Sequence, residues 1–524
     1  MSGDSEHKDS AWARAEAAVV DGVAKHVAPV LGRALGRAVS GVLEVERRLS
    51  PVDRAWLRME RPENRMTVTG MFRVAEALPR AEVVELVRAR LLTVPRFAAC
   101  IEGSEGGEGD REAEDGWPRW TPADTVDLDA HVLEHDLSED DGRDAEAKLR
   151  AFIGEQLALA LPRERPPWRL HVVQLGAAGT AVVARVHHCV GDGIALMLVF
   201  MSLVDDAPEV KGPTPLSMLF GARRPNVGAA RAYLREVMPT GVKLLLHREP
   251  REGGQRGQGG LNTEQTVEQA GAVVRELGEL GLRSPDTTPC FHGPLGVPKA
   301  VAWTRELPLA QLKSVRDALA GADPSSRPTL NDLVLAAVAG ALRRHLLGRG
   351  QEEACAGDLR VTIPVNLRRL ADMAALGNHF GLIFLDLPVG VVDPRTRLEV
   401  VAGRTRALKR SPEAVVTHGL LWMLGLAPAA VESAGVSYFS ARASAVVTNV
   451  PGPERPVFLA GRRVQAMRFW VPQSGHLGLG ISIASYAGQL SVGFAADAGL
   501  IGDPRELAAL VEDELRELAR LGGA

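Results

Sequence analysis

The sequence predicts a two-domain protein of α/β or α+β class. Three observations carry this. The chain has 524 residues, more than one hydrophobic core usually supports. Strand-like and helix-like patterns alternate in both halves. Between the halves lies a stretch with Pro-rich, amphipathic and Gly/Gln-rich pieces, notably Gly253 to Gly260. The resulting division is an N-terminal extension at 1–48, a first domain at 49–205, a connector at 206–290 and a second domain at 291–524.

Taken in chain order, residues 1–10 are polar. Val20, Val23, Val27, Leu31, Leu35, Ala38 and Val42 then recur at helical spacing, with Lys25, Arg33 and Arg37 off the stripe and Pro29 interrupting it. Two readings stay open: a helix packed on the body, or one lying on a membrane surface. Leu49-Ser50-Pro51-Val52-Asp53 opens the first domain, with Ser50 and Pro51 as a natural cap and first-turn pair. Residues 102–115 form an acidic, Gly-containing loop. Thr180 to Val186 alternates and is Val-rich, as a strand should be, and Ile194 to Val204 is an apolar run of helical length.

In the second half, a helical pattern runs from Asn331 toward Leu346, with Thr329 or Asn331 as its cap. Arg360 to Pro364 and Ser444 to Val450 read as strands, the second stopped by Pro451-Gly452-Pro453. Leu479, Ile481 and Ile483 alternate with small residues, and Ala487-Gly488 can turn the chain into Leu490 to Phe494.

Bulk properties narrow the function. A net charge of -4 and 4% aromatic residues give no footing for nucleic acid. Cys100, Cys189, Cys290 and Cys355 are widely spaced, which suits a reducing, cytoplasmic setting. Neither a secretory leader pattern nor an uncharged apolar run of spanning length is present, so the expectation is a non-integral protein.

The chemistry concentrates in Val186-His187-His188-Cys189-Val190-Gly191-Asp192-Gly193, on a strand-to-helix turn. Side chains alternate along a strand, so His188 shares a face with Val186, Ala184 and Val182, and His187 with Arg185 and Val183. Only one of the two can face a given channel. Imidazole is suited to act as a base near neutral pH. Asp192, just past the turn, is placed to pair with an arginine and lock the loop, and Gly193 to allow close backbone approach. No serine sits in a nucleophile elbow nearby, which favours activation of a bound nucleophile. A satisfied core histidine pair, a metal site through His188 and Asp192, and a nucleophilic Cys189 are the competing readings. No further His/Cys/Glu cluster at recognisable spacing completes a metal site.

From Leu49 onward the chain resembles the bacterial wax ester synthase/acyl-CoA:diacylglycerol acyltransferase family. The likeness rests on L-S-P-x-D, on Trp168-Arg169-Leu170, and on H-H-x-x-x-D-G. It continues with N-D-x-V-L-A at Asn331, P-V-N-L-R at Pro364, Gly377-Asn378, and N-V-P-G-P at Asn449. The resemblance implies two chloramphenicol-acetyltransferase-like domains with a channel between them. It implies His188 as general base, supported by His187, Asp192 and Gly193, with Asn331, Trp168 and Glu60 along the channel. Asn331 serves equally well as a helix cap. Acyl-CoA would be the co-substrate, diacylglycerol or a long-chain alcohol the acceptor, and a membrane or lipid-droplet surface the setting, with no metal or redox cofactor. One departure is Cys189, where the family more often has alanine. H-H-x-x-x-D-G alone also fits a carrier-protein-dependent condensation or polyketide-associated acyltransferase, and a catalytically silent lipid-binding relative is the non-enzymatic alternative.

Overall fold

A computed structural model describes residues 48–103, 116–139, 142–209, 286, 289–321, 327–368 and 376–523. The stripe at 20–42, nearly all of the acidic loop and most of the connector lie outside them.

Ser50 caps the first helix, α1 (Pro51–Met59), by accepting the N–H of Asp53 at 3.1 Å. Next come β1 (Thr67–Val74), α2 (Arg80–Leu86), the two-stranded ribbon β2 (Ala99–Glu102) and β3 (Arg119–Pro122), the single turn α3 (Leu128–His131), and β4 (Val132–Asp136). They lead into α4 (Ala145–Ala158), β5 (Trp168–Gln174), β6 (Thr180–His187) and α5 (Gly193–Met201). The helix expected to reach Val204 thus ends at Met201.

The second half opens with β7 (Lys299–Trp303), β8 (Leu307–Pro308), α6 (Leu309–Leu319) and α7 (Leu330–Gly348). It continues through β9 (Leu359–Asn366), β10 (Phe380–Leu387), α8 (Pro394–Leu408), α9 (Glu413–Leu426) and α10 (Ala429–Ser440). It closes with β11 (Ala445–Pro451), β12 (Phe458–Leu459), β13 (Arg462–Trp470), β14 (Leu479–Tyr486), β15 (Gln489–Asp497) and α11 (Arg505–Leu521). Ala487 and Gly488 take φ of 46° and 78°, the positive values a tight hairpin between β14 and β15 requires.

Two mixed sheets organise these elements. The first has the order β12-β13-β1-β6-β5-β4, the second β10-β9-β11-β14-β15-β7, with β8 also on β15. The sequence division at 206–290 therefore does not separate the sheets in space. Strand β13, from the second half, pairs antiparallel with β1 from Thr69 opposite Trp470 onward. Without it β1 would be an open edge with unpaired backbone groups. Helix α4 of the first half packs in turn on β7 of the second sheet.

Strand β6 is central and buried at every residue. Val182, Ala184 and Val186 join the core that holds α5, and Ala181 and Val183 join a smaller core with Leu149 and Ile153 of α4. Both faces are covered, which explains the almost uninterrupted apolar run.

The halves also meet where α9 crosses α1. A Cβ at Gly425 would overlap the carbonyl oxygen of Pro51, and Arg54 Nη1 donates to the Gly425 carbonyl at 2.9 Å. Gly425→Ala is therefore expected to destabilise the protein by about 1–3 kcal/mol, the usual cost of overpacking. Denaturant unfolding measures this; an unchanged midpoint would show that the crossing yields without cost.

Candidate functional site

His188 begins a single 3₁₀ turn (His188–Val190) after β6. Its backbone is held on both sides: its N–H donates to Met66 O at 2.7 Å, and its carbonyl accepts from Asn378 Nδ2 at 2.8 Å. The ring stacks on Trp56, with centroids 4.0 Å apart and planes 13° from parallel, and Phe380 lies 5.8 Å away. Nδ1 is buried without a hydrogen-bond partner among the described residues. The ring borders a cleft of about 780 Å³, measured to its open mouth, whose walls include Ile194, Leu382, Thr448, Val450 and Pro472. Burial pushes the His188 pKa down to about 4, although the Asp192 carboxylate works in the opposite direction. The imidazole is thus neutral at ordinary pH.

Segment 376–379 of the second half is tied to this turn by two carboxylates. Asp192 caps α5 by accepting the Ala195 N–H at 2.9 Å through Oδ1, while its Oδ2 accepts from Arg368 Nη2 and from the His379 N–H, both at 2.9 Å. Arg368 Nη2 also donates to Gly377 O at 2.8 Å. Burial alone would raise the Asp192 pKa, but the Arg368 guanidinium and these N–H donors hold it below the usual carboxylate range. Asp53, on α1, accepts the backbone N–H and the Nδ2 of Asn378 on one oxygen, at 3.1 and 2.8 Å. Its other oxygen accepts from Arg96 Nη1 at 3.0 Å, and Arg96 Nη1 also donates to Val190 O at 2.9 Å.

The remaining sequence candidates fall in different places. His187 points away from the cleft: its Nε2 faces Glu60 Oε2 at 3.1 Å and its Nδ1 accepts the Cys189 N–H at 3.2 Å, so the ring proton sits on Nε2. Glu60, expected along the channel, is instead engaged behind β6 by His187 and by Arg65 at 3.3 Å. Burial opposes its charge, yet His187 and Arg65 keep its pKa below the ordinary value. Trp168 is also outside the cleft. It is 1% exposed, donates Nε1 to Phe97 O at 2.8 Å and packs on His131, as a core residue.

Asn331 does not cap α7; Thr329 and Asp332 form its capping box. Asn331 Oδ1 accepts from Asn449 Nδ2 at 3.1 Å, and Asn449 rather than Asn331 borders the cleft. Gly193 does border it, but for room rather than for backbone approach: a Cβ there would meet nothing closer than Val450 Cγ2 at 4.0 Å. Cys189 is buried in the core and departs from alanine with no polar role for its thiol in the cleft.

Sequence reasoning passed over Trp56 and Phe380, which pack on the His188 ring. The signal for Trp56 was its place three residues after Asp53, which puts both on one side of α1. Phe380 gave none, because nothing local shows that the start of β10 lies beside the turn after β6.

The Asp192–Arg368 pair predicts a stability effect. Asp192→Asn should cost about 3–5 kcal/mol, because it removes the carboxylate charge that faces the buried Arg368 guanidinium, and should lower turnover along with the melting temperature. Full stability with an isolated rate defect would instead place Asp192 in the proton transfer itself.

Comparison with known proteins identifies the scaffold. Residues 49–334 match the wax ester synthase/diacylglycerol acyltransferase catalytic domain, and residues 376–519 the WS/DGAT C-terminal domain. A putative diacylglycerol O-acyltransferase of Mycobacterium tuberculosis is 26% identical over 496 residues, covering 90% of each chain. The O-acyltransferase WSD of Acinetobacter baylyi is 24% identical over 488 residues, covering 90% of this chain and 96% of its own. In fold the chain is similar to the wax ester synthase/diacylglycerol acyltransferase of Marinobacter aquaeolei VT8, with a TM-score of 0.61, 19% identity and coverage of 91% and 100%. It is also similar to the first condensation domain of the CDA synthetase, with a TM-score of 0.54, 18% identity and coverage of 91% and 96%. Its two sheets are those of paired chloramphenicol-acetyltransferase-like domains. The chain belongs to the wax ester synthase/diacylglycerol acyltransferase family.

Proposed function

We propose that the protein moves a fatty acyl group from acyl-CoA to the hydroxyl of diacylglycerol or of a long-chain alcohol, with His188 as general base. The observation that carries this reading is a neutral imidazole, buried by aromatic stacking, bordering an otherwise largely apolar cleft. A base of this kind takes the acceptor's hydroxyl proton as that oxygen attacks the thioester carbonyl. The tetrahedral intermediate then collapses: the C–S bond breaks, the CoA thiolate takes the proton from the imidazolium, and ester and free CoA leave. Negative charge on the intermediate falls near the start of α5. The N–H groups of Gly193 and Ile194 are among those a helix leaves unpaired, and both residues border the cleft. Such acceptors are nearly insoluble, so the natural setting is a membrane or lipid-body surface. No helix among the described residues is long and apolar enough to cross a membrane.

Purified protein given acyl-CoA should release free CoA only when an acceptor is present, and product identification with dioleoylglycerol and hexadecanol side by side reads the acceptor. His188→Ala should fold and lose about 10²–10⁴-fold in turnover; near-normal turnover would refute the base assignment. The pH profile gives an independent check. The base works in its neutral form, and its pKa lies near 4 rather than 6.5, so kcat/KM should stay level on acidification through pH 6.5 and fall only near the lower value. A half-loss at pH 6.5 would show that the acting base is an ordinary solvated histidine.

A further inference from the structure

We infer that the Thr448 hydroxyl, on the β11 wall of the His188 cleft, donates a hydrogen bond to the reacting carbonyl oxygen. The role rests on the acyltransferase reading and adds to it a side chain from the second half of the chain.

Alternation along β11 sends Ala445 and Val447 into the core of the second sheet, and Val446, Thr448 and Val450 to the cleft. In that row of three the middle residue alone is polar. Valine has nearly the shape of threonine, so packing gives no reason for the hydroxyl. Thr448 is 4% exposed, and its Oγ1 is buried with no hydrogen-bond partner among the described residues. Buried hydroxyls are normally paired, and one left unpaired costs stability. Other polar side chains on these walls are engaged within the protein. Thr362 Oγ1 donates to Ala445 O at 3.5 Å, Asn366 Oδ1 accepts the Arg368 N–H at 3.1 Å, and Asn449 Nδ2 donates to Asn331.

The reaction supplies the missing partner. The acceptor's hydroxyl proton goes to His188, which leaves the thioester carbonyl oxygen as the group in need of donors. As the acceptor oxygen adds, the carbonyl π pair moves onto that oxygen. A hydroxyl keeps its own proton and lends a hydrogen bond that strengthens as the charge grows. Its position suits the task. A Cβ on Gly193 would lie 4.0 Å from Val450 Cγ2, so the row on β11 passes against the start of α5. Thr448 is two residues along, about 7 Å at the usual strand rise. The first residues of α5, the hydroxyl and His188 thus border one cleft. Strand β11 lies between β9 and β14, and a β-branched side chain has few rotamers, so the donor is held in place before substrate arrives.

The test compares Thr448→Val and Thr448→Ser with the wild type, using acyl-CoA and whichever alcohol the wild type acylates. Thr448→Val keeps the shape and removes the hydroxyl. Its kcat should fall about 10²-fold, with KM for acyl-CoA changed by no more than about twofold. Its melting temperature should equal or exceed that of the wild type, because no internal hydrogen bond is lost. Thr448→Ser restores the hydroxyl and should recover kcat to within about tenfold of the wild type. Unchanged kcat in Thr448→Val would overturn the inference, as would a loss confined to KM or an equal loss of kcat in both variants. A melting temperature lowered in step with kcat would make Thr448 a packing residue instead. Wild-type protein that releases no CoA with any alcohol would refute the acyltransferase reading itself, and the Thr448 role with it.

Discussion

The site depends on a buried electrostatic clasp between the halves. Asp192 with Arg368, and Asp53 with Asn378 and Arg96, bind the segment after Leu376 to the turn that carries His188. Both carboxylates are buried, so each must be satisfied by fixed donors, and each draws them from both halves: Asp53 from Arg96 and Asn378, Asp192 from the Ala195 N–H, Arg368 and the His379 N–H. Asn378 spans the system: its amide donates to Asp53 and to the His188 carbonyl. Displacing Asp53, Asn378 or Asp192 removes a partner from a buried polar group, a cost that favours this arrangement of the turn.

The clasp also accounts for the state of the imidazole. With the backbone of His188 pinned from both sides, its ring is pressed onto Trp56 and beside Phe380, out of water. Desolvation then keeps it neutral despite the nearby Asp192 carboxylate. A stronger base would be protonated at working pH, and a freely rotating one would lose its orientation. His187 solves a different problem: bound to Glu60 and to the Cys189 N–H, it anchors the end of β6 from the far face. Two adjacent histidines thus divide between holding the turn and facing the cleft, as strand alternation requires.

Much of this was legible in the sequence. Strand β6, the turn, the start of α5, the β14–β15 hairpin and the opposed histidines all follow from local patterns of two or a few residues. The expected arginine partner for Asp192 exists, but only the structure names it, since Arg368 lies 176 positions away. The strand exchange that puts β13 beside β1 is likewise invisible locally, because pairing partners are chosen by whole-sheet packing. Trp168 and Glu60 were placed along the channel by the family resemblance, not by any local pattern. The physical reason for each miss is burial: Trp168 finds a carbonyl for its N–H inside the core, and Glu60 finds His187. Asn331 differs, being displaced from the cleft by one hydrogen-bonded neighbour, Asn449.

If the clasp positions His188, then Asp53 and Asn378 act on turnover as one unit. The direct measurement is a double-mutant cycle on kcat with Asp53→Ala, Asn378→Ala and the double variant, each first shown to be folded. The losses should coincide, leaving the double variant no slower than the slower single variant. Losses that multiply, or single variants that lower the melting temperature while leaving kcat intact, would contradict the claim that this contact holds the histidine in place.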